Sequence, residues 1–230
     1  MTTVPLLRPG SPPQRVLCFA PHPDDEVVGV GGSLHLHGLA GDPVQVILAT
    51  DGTAGDPQGK YPPGEYGELR RGESRRAAAL LGLGEPEFWG LGDGCEVSAE
   101  DRVQVTDMIA GQIRGFEPDL VYLPWAADSH PDHLVLHQIV LEGLRVVDFR
   151  GLALGYEIWA PLPAPHWVVD ITDVVDKKRD ALACFETQLA YTDLAHAVFG
   201  LNGYRSMLLE RSGGYGEAFQ QIDLQTGPVD

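Results

Sequence analysis

Ala20-Pro21-His22-Pro23-Asp24-Asp25-Glu26 is the stretch on which the reading of the fold turns. Before it runs Val16-Leu17-Cys18-Phe19, an unbroken apolar segment of the kind found in buried strands. After it, 27–40 reads as a glycine-rich helix. Strand, acidic loop and helix make the opening unit of a parallel α/β sheet, and such sheets bind ligands at the carboxyl ends of their strands. One imidazole and three carboxylates leave this strand end together. Far downstream a second loop, 125–133, follows the apolar run Leu120-Val121-Tyr122-Leu123 and holds Asp128, His130, Asp132 and His133. Two acidic-imidazole loops after two strands suggest one divalent-metal site built from both.

Outward from these loops, strands are expected at 15–20, 44–49, 87–89, 119–123, 152–159 and 167–171, and helices at 68–83, 99–115, 133–147 and 174–189. Residues 1–14 read as an extended, proline-rich arm. The stretch 190–230 is weakly patterned and is expected to pack near the site. Strands alternating with helices predict a Rossmann-like α/β fold, a mostly parallel sheet with helices on both faces, and a single domain over 1–230. Dinucleotide binding is disfavoured, because Gly29-Val30-Gly31 is followed by Gly32-Ser33-Leu34 and breaks the G-x-G-x-x-G spacing. The loop 51–66 is long and rich in glycine and proline, which in compact domains often marks function.

Composition narrows the partners. The chain has 230 residues, 33 acidic against 16 basic, for a net charge of -17. That balance argues against nucleic acid and anionic membrane surfaces as main partners. There is no apolar run of about 18 residues, so no membrane span is expected. Three widely spaced cysteines and no CxxC motif argue against a disulfide framework, and the absence of a signal-peptide pattern makes a cytoplasmic location the expectation. A homo-oligomer stays open.

His22 and Asp25, three residues apart, can meet on one side of a turn and grip one metal ion. Asp24 then points elsewhere and is free to act on a water. The blander account is that Asp24, Asp25 and Glu26 merely favour a helix start. That account leaves His22 between two prolines unexplained. Of His130 and His133, one can bind the ion while the other stands behind it, and Asp132 can orient an imidazole. The alternative is a solvated loop capped by Asp132. His35, His37 and His137 read as packing or surface residues.

The first stretch resembles the His-Pro-Asp-Asp-Glu motif of the LmbE-like family, which includes the N-acetylglucosaminyl-phosphatidylinositol de-N-acetylases (PIG-L) and deacetylases of low-molecular-weight thiol pathways. His130-Pro131-Asp132-His133 is similar to the family's second motif, Arg70 to Glu73 to its Arg-x-x-Glu helix, and Asp93-Gly94 to its aspartate turn. Pro21, and Glu186-Thr187-Gln188 in place of a Ser-Gln, depart from the pattern. The resemblance spans about 15–190. It implies a zinc-dependent N-deacetylase acting on an N-acetylglucosamine-type sugar or glycoconjugate, with Fe2+ as another ion for the same ligands. His22, Asp25 and His133 would hold the ion, and Asp24 would be the general base. His130, oriented by Asp132, would stabilise the oxyanion and help the amine leave. Arg70 and Asp93 would hold sugar hydroxyls. The competing readings are a metal-dependent amidase on a thiol conjugate or antibiotic sugar, and a non-catalytic metal or sugar binder.

Overall fold

A computed structural model describes residues 4–62, 64–93, 99–210 and 213–224. Its centre is a seven-stranded sheet: β1 (Val16–Ala20), β2 (Val44–Thr50), β3 (Glu87–Leu91), β4 (Leu120–Pro124), β5 (Leu152–Tyr156), β6 (Trp167–Asp170) and β7 (Gly216–Gln221). The spatial order is β3-β2-β1-β4-β5-β7-β6. The first five in that order run parallel, and β7 is antiparallel to both β5 and β6. The fold class is therefore the expected one, α/β with a mostly parallel, helix-covered sheet.

The strand order reverses between β1 and β4. The chain leaves β1 toward β2 and β3 on one side, then returns to place β4 on the other. Crevices at such switch points are where open α/β sheets bind ligands. Here the two loops that open into the crevice are the two His-Asp loops.

The helices are α1 (Asp25–Ala40), α2 (Tyr66–Leu80), α3 (Ala99–Phe116), α4 (Pro131–Val146), α5 (Val175–Leu182), α6 (Glu186–Leu189) and α7 (Leu194–Arg205). β1 shows why both sheet faces are covered. Val16, Cys18 and Ala20 pack with Val30 and Leu34 of α1, while Leu17 and Phe19 pack with Ile109 of α3 and Val140 of α4. All five β1 residues are fully buried. Gly29 and Gly32 let α1 lie close on this sheet. A Cβ at Gly29 would stand 2.2 Å from the Tyr156 ring, and one at Gly32 2.7 Å from Ile171. Among the described residues no helix is long and apolar enough to cross a membrane.

Three expectations need correction. The expected helix 174–189 is two helices, because Phe185 drops into the core and Thr187 is tied to α2: its N–H and Oγ1 donate to Glu73 at 2.9 and 2.5 Å. The expected strand 152–159 stops at Tyr156, since Glu157 turns inward to pair with Arg205. The weakly patterned tail holds both α7 and β7. The arm is fastened as well, with Leu7 N–H donating to the Val168 carbonyl at 2.8 Å along the β6 edge.

β7 carries one half of a fully buried ion pair. Lys178 Nζ and Glu217 Oε1 are 2.7 Å apart, both side chains fully buried. Lys178 also donates to the Val28 carbonyl, and Glu217 accepts from the amides of Gly32 and Ser33 and from Ser33 Oγ. The pair thus ties α5 and β7 to α1, the helix that begins at Asp25. Lys178→Met strands a buried carboxylate and is expected to lower stability by about 3–5 kcal/mol, read as the shift in urea midpoint. A loss below about 1 kcal/mol would mean that water relieves the carboxylate.

Candidate active site

The turn after β1 sets His22, Asp24 and Asp25. His22 is held between Pro21 and Pro23, and its N–H donates to Asp25 Oδ2 at 3.0 Å. Asp24 lies at φ 130°, a region rarely taken by residues with a Cβ. Its carbonyl accepts from the amides of Val27 and Val28, and its own N–H donates to Glu26 Oε2 at 3.0 Å. Asp24 stands at the N-terminus of α1 but makes no side-chain cap hydrogen bond. Its carboxylate is therefore not spent on capping, and Oδ1 lies 3.1 Å from Arg70 Nη2 instead.

The turn after β4 sets Asp128, His130, Asp132 and His133. Here the cap is an imidazole: His130 Nδ1 accepts from the Asp132 N–H at 3.2 Å. With Nδ1 accepting, the proton of the neutral ring sits on Nε2. The Asp132 carboxylate reaches across to His22 Nε2 at 2.9 Å. Its imidazole contact is thus with His22, and its contact with His130 is through the backbone.

The two turns interlock. The rings of His22 and His133 have centroids 5.3 Å apart, and His130 and His133 are stacked at 4.6 Å. His22 Nδ1 is 2.9 Å from Asp25 Oδ2, and His133 Nε2 is 3.2 Å from the same oxygen. Ligand atoms of His22, Asp25 and His133 all lie within 4.8 Å of one another, as do those of His22, His130 and Asp132.

One atom decides between the two groups. His133 is fully buried, its Nδ1 is 3.0 Å from Asp128 Oδ1, and its Nε2 has no hydrogen-bond partner. If Nδ1–H donates to Asp128, Nε2 aims a lone pair at a carboxylate oxygen. Two electron-rich atoms at 3.2 Å suit a cation held between them. The residues therefore fit a divalent metal at His22, Asp25 and His133.

The metal-free electrostatics express the same need. Burial opposes charge on His22, but hydrogen bonds to Asp132 and Asp25 lift it to about 10. Burial likewise opposes charge on His133, and Asp25 and Asp128 lift it to about 9. Burial works against ionisation of Asp25, yet His133 and His22 hold it well below the usual carboxylate range. Burial pushes Asp24 up to about 7, with Arg70 pulling back and Asp25 adding to the rise. Burial and the nearby imidazoles push His130 down, which favours its neutral ring.

Arg70 and Asp93 line the same cavity, which has a volume of about 690 Å³. Arg70 is 2% exposed and donates to the carbonyls of Gly52 and Pro23 as well as pairing with Asp24. The Asp93 carboxylate accepts from the amides of Gly52 and Ala54 at 3.1 and 2.7 Å. Both side chains thus shape the loop after β2 while facing the cavity.

Asp128 was not singled out in the sequence. Besides His133 it accepts from the amides of His130, Trp159 and Ala160, so it joins the β4 turn to the β5–β6 connection. Its signal in the sequence is a second acid beside Asp132 in the 125–133 loop. The α7 residues Leu194, Val198 and Leu201, which also line the cavity, gave no such signal. His35, His37 and His137 are packing residues: their Nδ1 atoms bond the Leu81 carbonyl, Asp42 and the Pro124 carbonyl. Cys95 lies outside the described residues.

Known proteins share this chain's sequence pattern and its fold. The sequence pattern of the GlcNAc-PI de-N-acetylase family, PIG-L, matches residues 17–144. A diacetylchitobiose deacetylase of Thermococcus kodakarensis is 30% identical over 196 residues, covering 76% of this chain and 70% of that one. The 1D-myo-inositol 2-acetamido-2-deoxy-alpha-D-glucopyranoside deacetylase of Rhodococcus jostii is 30% identical, covering 76% of this chain and 82% of that one. The structure of N,N'-diacetylchitobiose deacetylase from Pyrococcus horikoshii superposes with a TM-score of 0.78 over 94% of this chain and 86% of that one, at 24% identity, a likeness of fold. Both His-Asp turns of the site fall inside the matched region, and the chain belongs to the GlcNAc-PI de-N-acetylase (PIG-L) family.

Proposed function

We propose that this chain is a metal-dependent N-deacetylase that hydrolyses the acetamide of an N-acetylglucosamine-type sugar to a free amine and acetate. The observation that carries the reading is the convergence of His22, Asp25 and His133, with the buried His133 Nε2 making no hydrogen bond and lying 3.2 Å from Asp25 Oδ2. Its support from relatives is that those at 30% identity are named as deacetylases of acetamido sugars. His22, Asp25 and His133 would hold the ion, and two imidazoles with one carboxylate suit Zn2+. When bound, such an ion supplies Lewis acidity, acidifying water and polarising a carbonyl.

The chain's own residues do the rest. Asp24, beside the ligand Asp25 and fixed by Arg70, takes the proton of the attacking water. His130 presents its Nε2–H to the amide oxygen as that oxygen gains charge, a contribution of about 3–4 kcal/mol for a donor of this kind. The departing nitrogen must gain a proton before the C–N bond breaks, and the proton taken by Asp24 is returned to it, with His130 in the same cavity. Arg70 and Asp93 face the sugar while holding the loop after β2 in shape. A single catalytic domain accounts for all of these parts.

The test is amine release from N-acetylglucosaminides by chelator-treated protein, with and without added Zn2+. Release that depends on the metal is expected. No release from any of them by protein carrying a full equivalent of metal would overturn the reading. A second measurement addresses Asp128. Asp128→Ala removes the Nδ1 partner of His133 and is expected to weaken metal binding by about 10- to 100-fold in a chelator competition. Unchanged affinity would show that His133 needs no such support.

A further inference from the structure

The walls of the 690 Å³ cavity differ in chemistry. Arg70, Asp93 and the backbone at 54–55 make one side polar. The other side is built by α1, the β5–β6 connection and α7, which supply Val28, Ile158, Trp159, Leu194, Val198 and Leu201. Trp159 leaves 61% of its surface exposed. A large ring kept open to solvent on a cavity wall is a common mark of a ligand-contacting surface. The volume lies within the range of pockets for drug-sized ligands.

Charge narrows the ligand further. Among the described lining residues Arg70 is the one arginine or lysine. Its guanidinium is engaged by Asp24 and by the carbonyls of Gly52 and Pro23. Glu157 and Asp93 add negative charge to the lining, the first paired with Arg205 and the second with two backbone amides. A phosphate or carboxylate on the substrate would meet acids and an occupied cation. A second sugar or a polyol would want several polar groups from the α7 side, where Asn202 Nδ2 donates to the Gly216 carbonyl at 3.1 Å and its amide oxygen is a single buried acceptor without a hydrogen bond.

We propose that the site takes an uncharged glucosamine amide bearing an apolar chain or ring, packed against the wall formed by α7 and the β5–β6 connection. This rests on the deacetylase reading above and specifies its substrate class. The apolar group can be attached in two ways, as the aglycone of an N-acetylglucosaminide or as a longer acyl chain on the nitrogen. Either meets the same wall.

The experiment compares kcat/KM of the Zn2+-loaded full chain for methyl and octyl N-acetylglucosaminides, N-acetyl- and N-octanoylglucosamine, N,N'-diacetylchitobiose and N-acetylglucosamine 1-phosphate. Each fully buried methylene adds about fourfold to binding. A rise of at least about tenfold from short to octyl is expected in one of the two series, and that series identifies the attachment. The phosphate and the disaccharide are expected to fall below the octyl compound. Trp159→Ser and, independently, Leu201→Asn should each lower the octyl-to-methyl (or octanoyl-to-acetyl) ratio at least about threefold. Equal rates for short and octyl compounds in both series, or a preference for the phosphate, would overturn the apolar wall and leave deacetylation standing. No amine from any of the six compounds would overturn both.

Discussion

Asp24→Asn is expected to keep the fold and the metal while lowering kcat for amide hydrolysis by about 100- to 10,000-fold. Asparagine keeps the size and shape of the side chain and loses its basicity. It also tolerates positive φ, which matters because Asp24 sits at φ 130°. Arg70 keeps the carbonyls of Gly52 and Pro23, and asparagine still offers an oxygen in place of the carboxylate. If Asp24 only helped α1 to start, asparagine would serve as well and activity would stay. The missing side-chain cap bond already speaks for the other role. Asp24→Gly sharpens the test, because it removes backbone strain of about 1–3 kcal/mol together with the carboxylate. That variant should be as inactive as Asp24→Asn, while its stability sets the strain released against the buried Arg70 guanidinium left without its carboxylate. Full activity with full metal in Asp24→Asn would dismiss Asp24 as the base and turn attention to Glu26, whose carboxylate accepts the Asp24 N–H.

What the sequence made legible has a physical pattern. β1 and β4 were readable because strands covered on both faces become unbroken apolar runs, and each has all five residues buried. The two His-Pro-Asp turns were readable because imidazoles and acids clustered after such strands have few structural uses. β7 was not readable. It is Gly216-Glu217-Ala218-Phe219-Gln220-Gln221, and its glutamate enters the core on the strength of Lys178, far away in sequence. α7 contains Gly200 and Gly203, which weaken any helical pattern. Asp128 was hidden for the same reason as Glu217: its burial depends on partners from another connection, Trp159 and Ala160. Asp132 was placed beside the right histidines, but its carboxylate reaches His22 across the switch point, a contact that only the β1–β4 pairing creates. The strained φ of Asp24 has no sequence signature, since it is imposed by Glu26, Arg70 and the first turn of α1 together.

His22→Ala is expected to reduce bound metal from about one equivalent to near zero. Among the described residues, His22 belongs to both three-residue groups capable of holding an ion, so its loss leaves neither intact. The replacement is cleaner than one at His133, which would also take from the buried Asp128 carboxylate its imidazole partner. The His22 side chain is 12% exposed and lies on a turn, so no large cavity opens in the core. The ion's absence has a second consequence. A ligand present at 1,000 times its Kd and bound only to the folded chain stabilises that chain by about 4 kcal/mol. In the parent protein a chelator should therefore lower the melting temperature by several degrees, and restored Zn2+ should return it. In His22→Ala the melting temperature should respond to neither. The variant's own stability can move either way, because removing the imidazole takes from Asp25 and Asp132 a contact that each makes at 2.9 Å, while the 3.2 Å contact of His133 Nε2 with Asp25 remains. The decisive quantity is thus the response to chelator and not the absolute melting point. Parent-level metal in His22→Ala, or a chelator response as large as the parent's, would place the ion away from both groups and remove the basis for a metal at the switch point.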